Sequence, residues 1–385
     1  RDPEMSRGLG DVYKRQFFAS VEMLDNPELR GLPVIVGGQS MRSVVSTCSY
    51  EARKFGVHSA MPIVQAKKLC PQGVYVPVRM ARYQEVSHKI MQIFSELSPK
   101  VEQLSIDEAF LDISGMERLH GSALAVARLA KQRIKEEIGI TASVGLAPNK
   151  FLAKMASDMQ KPDGLTVIKH EEAKAFIAPL PVTKIFGIGE AARKALLQFG
   201  IVTIGQLAEM DEMLLKRVFG KNAAQVHLLA CGIDQREVMN ATKAKSIGRE
   251  VTFENDLHGR EECKKHFLTL SGMVGYRLRK SGYYGRTLSI KIKYADFKTI
   301  TRSITSESDI SCDEEIYQLA VRLLNGVNLL QGVRLLGITV SGLSRGTSLG
   351  LAFADDEKRQ KRNAATDALK ARFGEKIIFR GSNVN

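Results

Sequence analysis

The sequence lacks a long apolar run, and its few cysteines are scattered. No stretch approaches the roughly 20 apolar residues of a membrane-spanning helix, and no leader-like pattern opens the chain. The five cysteines never stand in Cys-x-x-Cys spacing, and His-Glu-x-x-His does not occur. These absences argue against a membrane protein, a disulfide framework and a zinc site. We therefore expect a soluble cytoplasmic protein without a membrane partner.

Acidic residues are outnumbered by basic ones. The 385 residues include 56 Lys and Arg but 42 Asp and Glu, which gives a formal charge of +14 and a pI near 9.5. This balance indicates a polyanionic partner such as nucleic acid, although charge alone would also suit an anionic membrane surface. The length predicts two to four domains, since single cores stop growing at about 250–300 residues.

Hydrophobic periodicity divides the chain into three regions. The first, up to about residue 170, alternates apolar strands with amphipathic helices and predicts an α/β or α+β domain. Residues 172–240 predict short helices punctuated by glycine. Residues 247–343 predict the order strand, helix, strand, strand, helix, strand, which is a split β-α-β-β-α-β pattern.

Two features favour contacts with a DNA backbone. Gly187-x-Gly189 before a helix predicts a helix-hairpin-helix, which binds phosphates through backbone N–H groups, with a simple tight turn as the alternative. In the third region the strand around residue 290 alternates, so that one face carries lysines. The candidate phosphate-binding cations on this and neighbouring strands are Arg249, Lys291, Lys293 and Arg302. A merely solvated face is the alternative.

Two adjacent carboxylates, Asp107 and Glu108, interrupt an apolar segment from residue 101 to residue 113 that otherwise predicts a strand. Burying neighbouring charges is costly unless they bind a cation, and Mg²⁺ prefers one or two carboxylates with substrate phosphates. The pair therefore suggests phosphoryl or nucleotidyl transfer. The alternative is an exposed hairpin edge, which an isolated Asp-Glu would favour.

Ordered motifs resemble the Y-family translesion DNA polymerases, most closely the bacterial DNA polymerase IV (DinB) branch. They lie at residues 17–22, 46–57, 105–110, 143–150, 156–162 and 187–189. The resemblance implies a right-hand polymerase with palm, fingers, a helix-hairpin-helix thumb and a β-α-β-β-α-β little finger. We assign residues 17–170 to palm and fingers, 171–240 to the thumb, 241–345 to the little finger and 346–385 to a C-terminal tail.

The resemblance also implies roles for single residues. Asp107 resembles a ligand of two Mg²⁺ ions, and Glu108 resembles the catalytic carboxylate beside it. Phe18 matches the residue that excludes a ribose 2′-hydroxyl. The residues that resemble triphosphate ligands are Tyr50, Arg53 and Lys161. The implied partners are primer-template DNA and deoxynucleoside triphosphates, and we expect a monomer at the bacterial nucleoid.

The chain departs from the family before Phe17. The family's Asp-x-Asp, whose first member bridges both metals, corresponds here to Tyr13 and Arg15, and Asp11 lies too far along a strand to replace it without a register shift. Residues 1–16 do not predict the fold's first strand. We interpret them as a foreign or misassembled segment, with genuine loss of catalysis as the second explanation.

Three functions remain to be compared. The first is a DNA polymerase with a damaged N-terminus, whose activity is in doubt. The second is a non-catalytic DNA-binding accessory protein on a polymerase scaffold. The third, a helix-hairpin-helix glycosylase, is disfavoured by the palm-like region.

The sequence of residues 347–353 predicts a peptide that binds a sliding clamp, with apolar packing on the protein itself as the alternative.

Overall fold

A computed structural model of the chain describes a large part of the sequence. It covers residues 9–13, 16–240, 244–346 and 354–374, without the side chains of residues 9–13, 117 and 354–360. The chain divides into two compact units, of which the first comprises residues 1–39 and 43–242 and the second residues 40–42 and 243–385.

The first unit mixes strands and helices. Its strands are β1 (Leu9–Tyr13), β2 (Val34–Gly37), β3 (Val45–Cys48), β4 (Val74–Val76), β5 (Lys100–Gln103), β6 (Glu108–Asp112), β7 (Ser143–Ala147) and β8 (Leu165–Val167). Its helices are α1 (Phe17–Asp25), α2 (Tyr50–Lys54), α3 (Ile63–Leu69), α4 (Met80–Leu97), α5 (Glu117–His120), α6 (Ala123–Arg133), α7 (Lys150–Met159), α8 (Ala173–Ile177), α9 (Glu190–Leu197), α10 (Ile204–Ala208), α11 (Glu212–Phe219) and α12 (Ala223–Ala230).

A five-stranded sheet forms the centre of the first unit, in the order β5-β6-β1-β7-β8. The central strand β1 pairs antiparallel with β6 on one side and with β7 on the other. Our expectation that residues 1–16 would not supply the first strand is therefore wrong for residues 9–13. Backbone N–H and C=O groups on the facing edges of β6 and β7 require partners, and an extended backbone satisfies them whatever its side chains. The foreign origin of residues 1–16 stays a prediction.

The segment from residue 101 to residue 113 is not one interrupted strand. It forms β5 and β6, which pair antiparallel and are joined by a turn at residues 104–107. The backbone N–H of Leu104 donates to the carbonyl of Glu108 at 2.9 Å and closes this turn. The carboxylates therefore lie at the start of β6, as the hairpin alternative predicted, but both are half-buried.

Helices α1, α4 and α6 provide the main core of this sheet. Along α4, Tyr83, Val86, Ile90 and Leu97 are buried at intervals of three, four and seven residues, the spacing of one helical face. Full burial of a large apolar side chain contributes about 1.5–3 kcal/mol. This face therefore fixes α4 against α1, which carries the candidate residue Phe18.

A smaller sheet, in the order β3-β2-β4, has a separate core with α2 and α3. The short helices α8 to α12 pack around a further core that reaches α7. They agree with the helical pattern predicted for residues 172–240. The segment after α12 is held by Lys150, whose ammonium donates to both carboxylate oxygens of Glu102 at 2.7 and 2.6 Å and to the carbonyl of Glu237 at 3.0 Å.

The second unit has the predicted order of elements. They are β9 (Ser246–Leu257), α13 (Arg260–Lys280), β10 (Tyr283–Tyr294), β11 (Thr299–Ile310), α14 (Asp313–Asn325), β12 (Val333–Ser341), β13 (Ser344–Arg345) and α15 (Ala354–Phe373). The main sheet is antiparallel, in the order β11-β10-β12-β9, and α13 and α14 share its core. Arg279 of α13 pairs with Asp367 at 2.7 Å, which attaches α15 to this unit.

Candidate active site

The turn before β6 presents Asp107 and Glu108 at one end of the central sheet. The hydroxyl of Ser105 donates to Oδ1 of Asp107 at 2.6 Å. Burial raises the pKa of the Asp107 carboxyl, against the opposing hydrogen bond from Ser105. The ionised form of this carboxyl is therefore disfavoured in the protein alone, and a cation bound beside it would stabilise that form.

Glu108 has a cationic neighbour within the chain. The ammonium of Lys154, on α7, donates to Oε1 of Glu108 at 2.8 Å. Burial raises the pKa of Glu108, and Lys154 acts in the opposite direction. The side chain of Glu108 is 13% exposed and that of Lys154 is 25% exposed, so water screens this pair only in part.

The register of β1 identifies the residue opposite these carboxylates. Tyr13 pairs with Glu108 in β6 and with Ser143 in β7, whereas Asp11 pairs with Phe110. Position 13, which is aspartate in the family, is thus level with Glu108, and Asp11 is two residues away. Among the side chains that the structure describes, no group of three His, Cys, Asp or Glu residues is arranged to hold a metal ion.

The structure brings two of the three predicted triphosphate ligands to one cavity. Its volume is about 250 Å³, and its lining includes Tyr50 and Lys161. Tyr50 begins α2, whose first turn is capped by the hydroxyl of Ser49. Arg53 lies one turn further along α2 but does not line this cavity. Lys161 is held by an ion pair with Asp158, and its side chain is only 7% exposed.

Phe18 is supported by an aromatic partner that our sequence analysis missed. Its ring stacks on that of Tyr83, with centroids 4.2 Å apart and planes at 12°. The Tyr83 hydroxyl donates to Glu22 at 2.6 Å, and Arg79 donates to the same carboxylate through two nitrogens. A signal was available, because Glu22 falls on the buried face of α1 and a buried carboxylate requires a donor.

The helix-hairpin-helix glycines lie just before α9. Gly187 has φ +99°, a conformation that strongly favours glycine, whereas Gly189 has φ −86° and begins the helix as its N-cap. Within the described part of the chain, and apart from the glycine and its immediate chain neighbours, no residue has an atom within 4 Å of a Cβ built at Gly187 or at Gly189. The next residue back, Phe186, is 75% exposed. A ligand backbone can therefore approach this hairpin closely.

The strand cations of the second unit do not share one face. Lys291 pairs with Thr301 and Lys293 with Thr299, on the sheet face opposite the helices. Arg302 instead pairs with buried Ile290, and Arg249 with buried Ile338, which directs both arginines to the helical side. The structure brings the two lysines together and separates the arginines from them. A DNA contact at each of the four stays a prediction.

Comparisons with known proteins decide the family. The sequence model of the impB/mucB/samB family matches residues 12–158, and that of its C-terminal domain matches residues 244–353. A DNA polymerase IV of Desulfatibacillum aliphaticivorans is 46% identical over 364 residues, covering 93% of this chain and 92% of the relative. This chain belongs to the Y-family DNA polymerases, in the DNA polymerase IV (DinB) branch.

Further relatives agree with this assignment. A DNA polymerase IV of Staphylococcus aureus strain JH9 is 42% identical over 341 residues, which are 88% of this chain and 96% of the relative. A Y-family chimera of Dbh and Dpo4 covers 88% of this chain and 100% of its own, with 29% identity and a TM-score of 0.82. DinB from Sulfolobus solfataricus has the same coverage and identity, with a TM-score of 0.61.

The family resemblance and the right-hand polymerase fold predicted from the motifs are thereby confirmed. As a member of this family, the protein is a DNA-directed DNA polymerase, a nucleotidyltransferase of the translesion type. Within the part of the chain that the structure describes, no helix is long and apolar enough to cross a membrane. The segment 347–353, predicted to bind a clamp, lies outside the described residues.

Proposed function

We propose that this Y-family chain binds primer-template DNA and a deoxynucleoside triphosphate, but transfers the nucleotide poorly because residue 13 is tyrosine. The observation that carries this proposal is the register of β1. Position 13 stands level with Glu108, next to Asp107, where the family's first aspartate would complete the carboxylate set. The hairpin that carries Asp107 and Glu108 and the cavity lined by Tyr50 and Lys161 are formed although the residues at positions 13 and 15 are not aspartate.

The cavity beside α1 suits the triphosphate of the incoming nucleotide. Lys161 supplies a cation and Tyr50 a hydroxyl donor at its lining, and Arg53 could fork onto two phosphate oxygens from the next turn of α2. Phe18, backed by Tyr83, would lie beneath the nucleotide's sugar and exclude a 2′-hydroxyl. The outer-face lysines and the Gly187 hairpin would hold the phosphates of primer and template.

In the reaction, the primer 3′-hydroxyl gives up its proton to water, its oxygen forms a bond to the α-phosphorus of the nucleotide, and the bond from that phosphorus to the leaving pyrophosphate breaks. Asp107 and Glu108 have the oxygen donors that Mg²⁺ prefers, and a cation bound between them would stabilise the ionised carboxylates that burial disfavours. Two Mg²⁺ ions, when bound, would lower the pKa of the primer hydroxyl and neutralise the phosphoryl charge. Two carboxylates do not complete the set for two ions, so we expect a rate loss on the order of a thousandfold or more.

A non-catalytic DNA-binding accessory protein is the second candidate, and Tyr13 is the observation that favours it. An accessory protein needs no nucleotide pocket, because DNA binding requires only the hairpin and the strand cations. The presence of Lys161 and Tyr50 at one cavity therefore supports the polymerase. For either function, we propose a monomer that acts at the bacterial nucleoid and reaches a sliding clamp through residues 347–353.

Nucleotide selection by the template separates these candidates without requiring catalysis. The chain is bound to a primer-template whose primer ends in a dideoxynucleotide, and each of the four Mg²⁺-nucleotides is titrated while binding is followed by fluorescence. We expect the complementary nucleotide to bind most tightly, with the preference changing when the template base is changed. Equal affinity for all four nucleotides, or no binding of any, would favour the accessory protein.

A further inference from the structure

Lys131 of α6 donates hydrogen bonds to four oxygen atoms of the protein. Its ammonium donates to the carbonyl oxygens of Ala142 at 2.7 Å, Asp163 at 2.7 Å and Gly164 at 3.2 Å. It also donates to Oδ1 of Asp163 at 2.6 Å. The Lys131 side chain is only 18% exposed. An ammonium has three N–H groups, so these oxygens engage all of its donors.

The partners of Lys131 belong to two segments that form one wall of the triphosphate cavity. Ala142 stands between Thr141 and Ser143, which both line the cavity, and Asp163 lines it as well. Gly164 directly precedes β8, and its carbonyl also accepts the N–H of Val144 in β7 at 3.0 Å. Lys131 thus ties the beginnings of two parallel strands together from behind the cavity.

The segment that Lys131 holds is also the one that carries Lys161. Only Pro162 separates Lys161 from Asp163, whose φ of +57° lies in the left-handed region. An aspartate adopts this conformation at a cost that surrounding contacts must offset. Both the carbonyl and the carboxylate of Asp163 are fixed by Lys131, which holds the backbone two residues after Lys161.

We propose that Lys131 is a positioning residue for the incoming nucleotide: it holds the Asp163–Gly164 segment against β7, and so sets where Lys161 presents its ammonium in the triphosphate cavity. This inference rests on the proposed function of that cavity. Lys131 does not line the cavity itself. Its effect should therefore appear in nucleotide affinity and not in affinity for DNA.

Lys131→Met tests this role, with Arg133→Met as the matched control. Arg133 lies on the same helix and is 24% exposed, and it pairs with Glu96 at 2.7 Å and Glu137 at 2.5 Å, away from the cavity wall. Both variants lose one cation; Lys131→Met loses one ion pair and Arg133→Met loses two, so the control is the larger electrostatic change. Asp163→Asn is a milder second variant, because asparagine tolerates a positive φ but loses the charged partner of Lys131.

Two quantities are measured for each variant: the Kd of the complementary Mg²⁺-nucleotide on a dideoxy-ended primer-template, and the Kd of that DNA alone. We expect Lys131→Met to raise the nucleotide Kd roughly tenfold or more, through the lost charged hydrogen bonds. Asp163→Asn should raise it less, and Arg133→Met should leave it unchanged. The DNA Kd should stay constant in all three.

Hydrogen exchange of the free proteins provides the second readout. Amides at the start of β7 and at residues 163–166 should exchange faster in Lys131→Met than in the unmodified chain or in Arg133→Met. An unchanged nucleotide Kd in both Lys131→Met and Asp163→Asn would overturn the inference but not the proposed function. An equal rise in the nucleotide Kd of Arg133→Met would do the same. An unmodified chain that binds no nucleotide would instead overturn the proposed function, and the inference with it.

Discussion

Replacing Lys154 by methionine should destabilise the first unit through its effect on Glu108. The Lys154 ammonium donates to the Glu108 carboxylate at 2.8 Å, and both side chains are largely withdrawn from water. A hydrogen bond to a charged group contributes about 1.5–3 kcal/mol, and partial exposure places this one at about 1.5 kcal/mol. For a unit of this size, the loss corresponds to a decrease in Tm of about 3–6 °C.

The size of this loss should depend on pH. Burial raises the folded-state pKa of Glu108 and Lys154 lowers it, so removing Lys154 moves that pKa further above the unfolded-state value. A carboxyl with a raised folded-state pKa gains stability as pH falls through that pKa, because the folded state binds the proton more readily. The loss of unfolding free energy caused by Lys154→Met should therefore be complete at neutral pH and should become smaller as the pH falls.

Thermal unfolding without added metal, from about pH 8 to about pH 5, measures this dependence. Lys100→Met is the matched control, since Lys100 contacts Asp112 at the other end of β6 at 3.6 Å and is 52% exposed. An exposed pair of this kind contributes at most about 1 kcal/mol. A Lys154→Met deficit that is absent at neutral pH, or that grows toward acid pH, would refute the electrostatic account of Glu108.

The remaining predictions concern substrates and partners. In a variant with the family's two aspartates restored, Phe18→Ala should allow ribonucleotide incorporation, measured as the ratio of ribonucleotide to deoxynucleotide extension. Continued rejection of ribonucleotides would contradict the role of Phe18 in excluding the 2′-hydroxyl. Lys293→Ala should reduce the slope of log affinity for DNA against log salt by about one, and an unchanged slope would exclude this lysine from the interface. A peptide of residues 345–355 should bind the host clamp at about −8 kcal/mol and lose binding with alanine at Leu351 and Phe353; no binding by the unmodified peptide would leave this segment to packing.

Much of the fold could be predicted because its signals are local. The alternation of Leu288, Ile290 and Ile292 with polar residues predicted a strand with one buried face, and all three side chains are buried in β10. The amphipathic helices predicted for the first region are also present, and α4 is one that buries a single face. The face of Arg302 could not be predicted in this way, because it depends on the pairing register with a neighbouring strand.

The candidate site was predictable where a motif carries it and not where distant segments meet. Asp107, Glu108 and Lys161 were predicted from their motifs, and their roles stay predictions. Tyr83 was missed because its partners Phe18 and Glu22 are more than 60 residues away in the sequence. No local pattern specifies such a contact, since it follows from how α4 packs on α1.

At the first strand, the sequence analysis wrongly excluded an element that is present in the structure. Its side chains departed from the family, so the sequence predicted no strand at residues 9–13. The strand forms in the structure because its place is specified by the edges of β6 and β7. The sequence did identify the chemical departure, tyrosine at position 13, and the register locates that departure level with Glu108.

Primer extension by the unmodified chain and by a Tyr13→Asp, Arg15→Asp variant tests the central claim most directly. Single-turnover rates with Mg²⁺ are compared on one primer-template, with the Kd for that DNA measured alongside. We predict a gain on the order of a thousandfold in the variant, its abolition by a further Asp107→Ala change, and a nearly constant Kd for DNA. Rapid Mg²⁺-dependent extension by the unmodified chain, with no gain in the variant, would contradict the account.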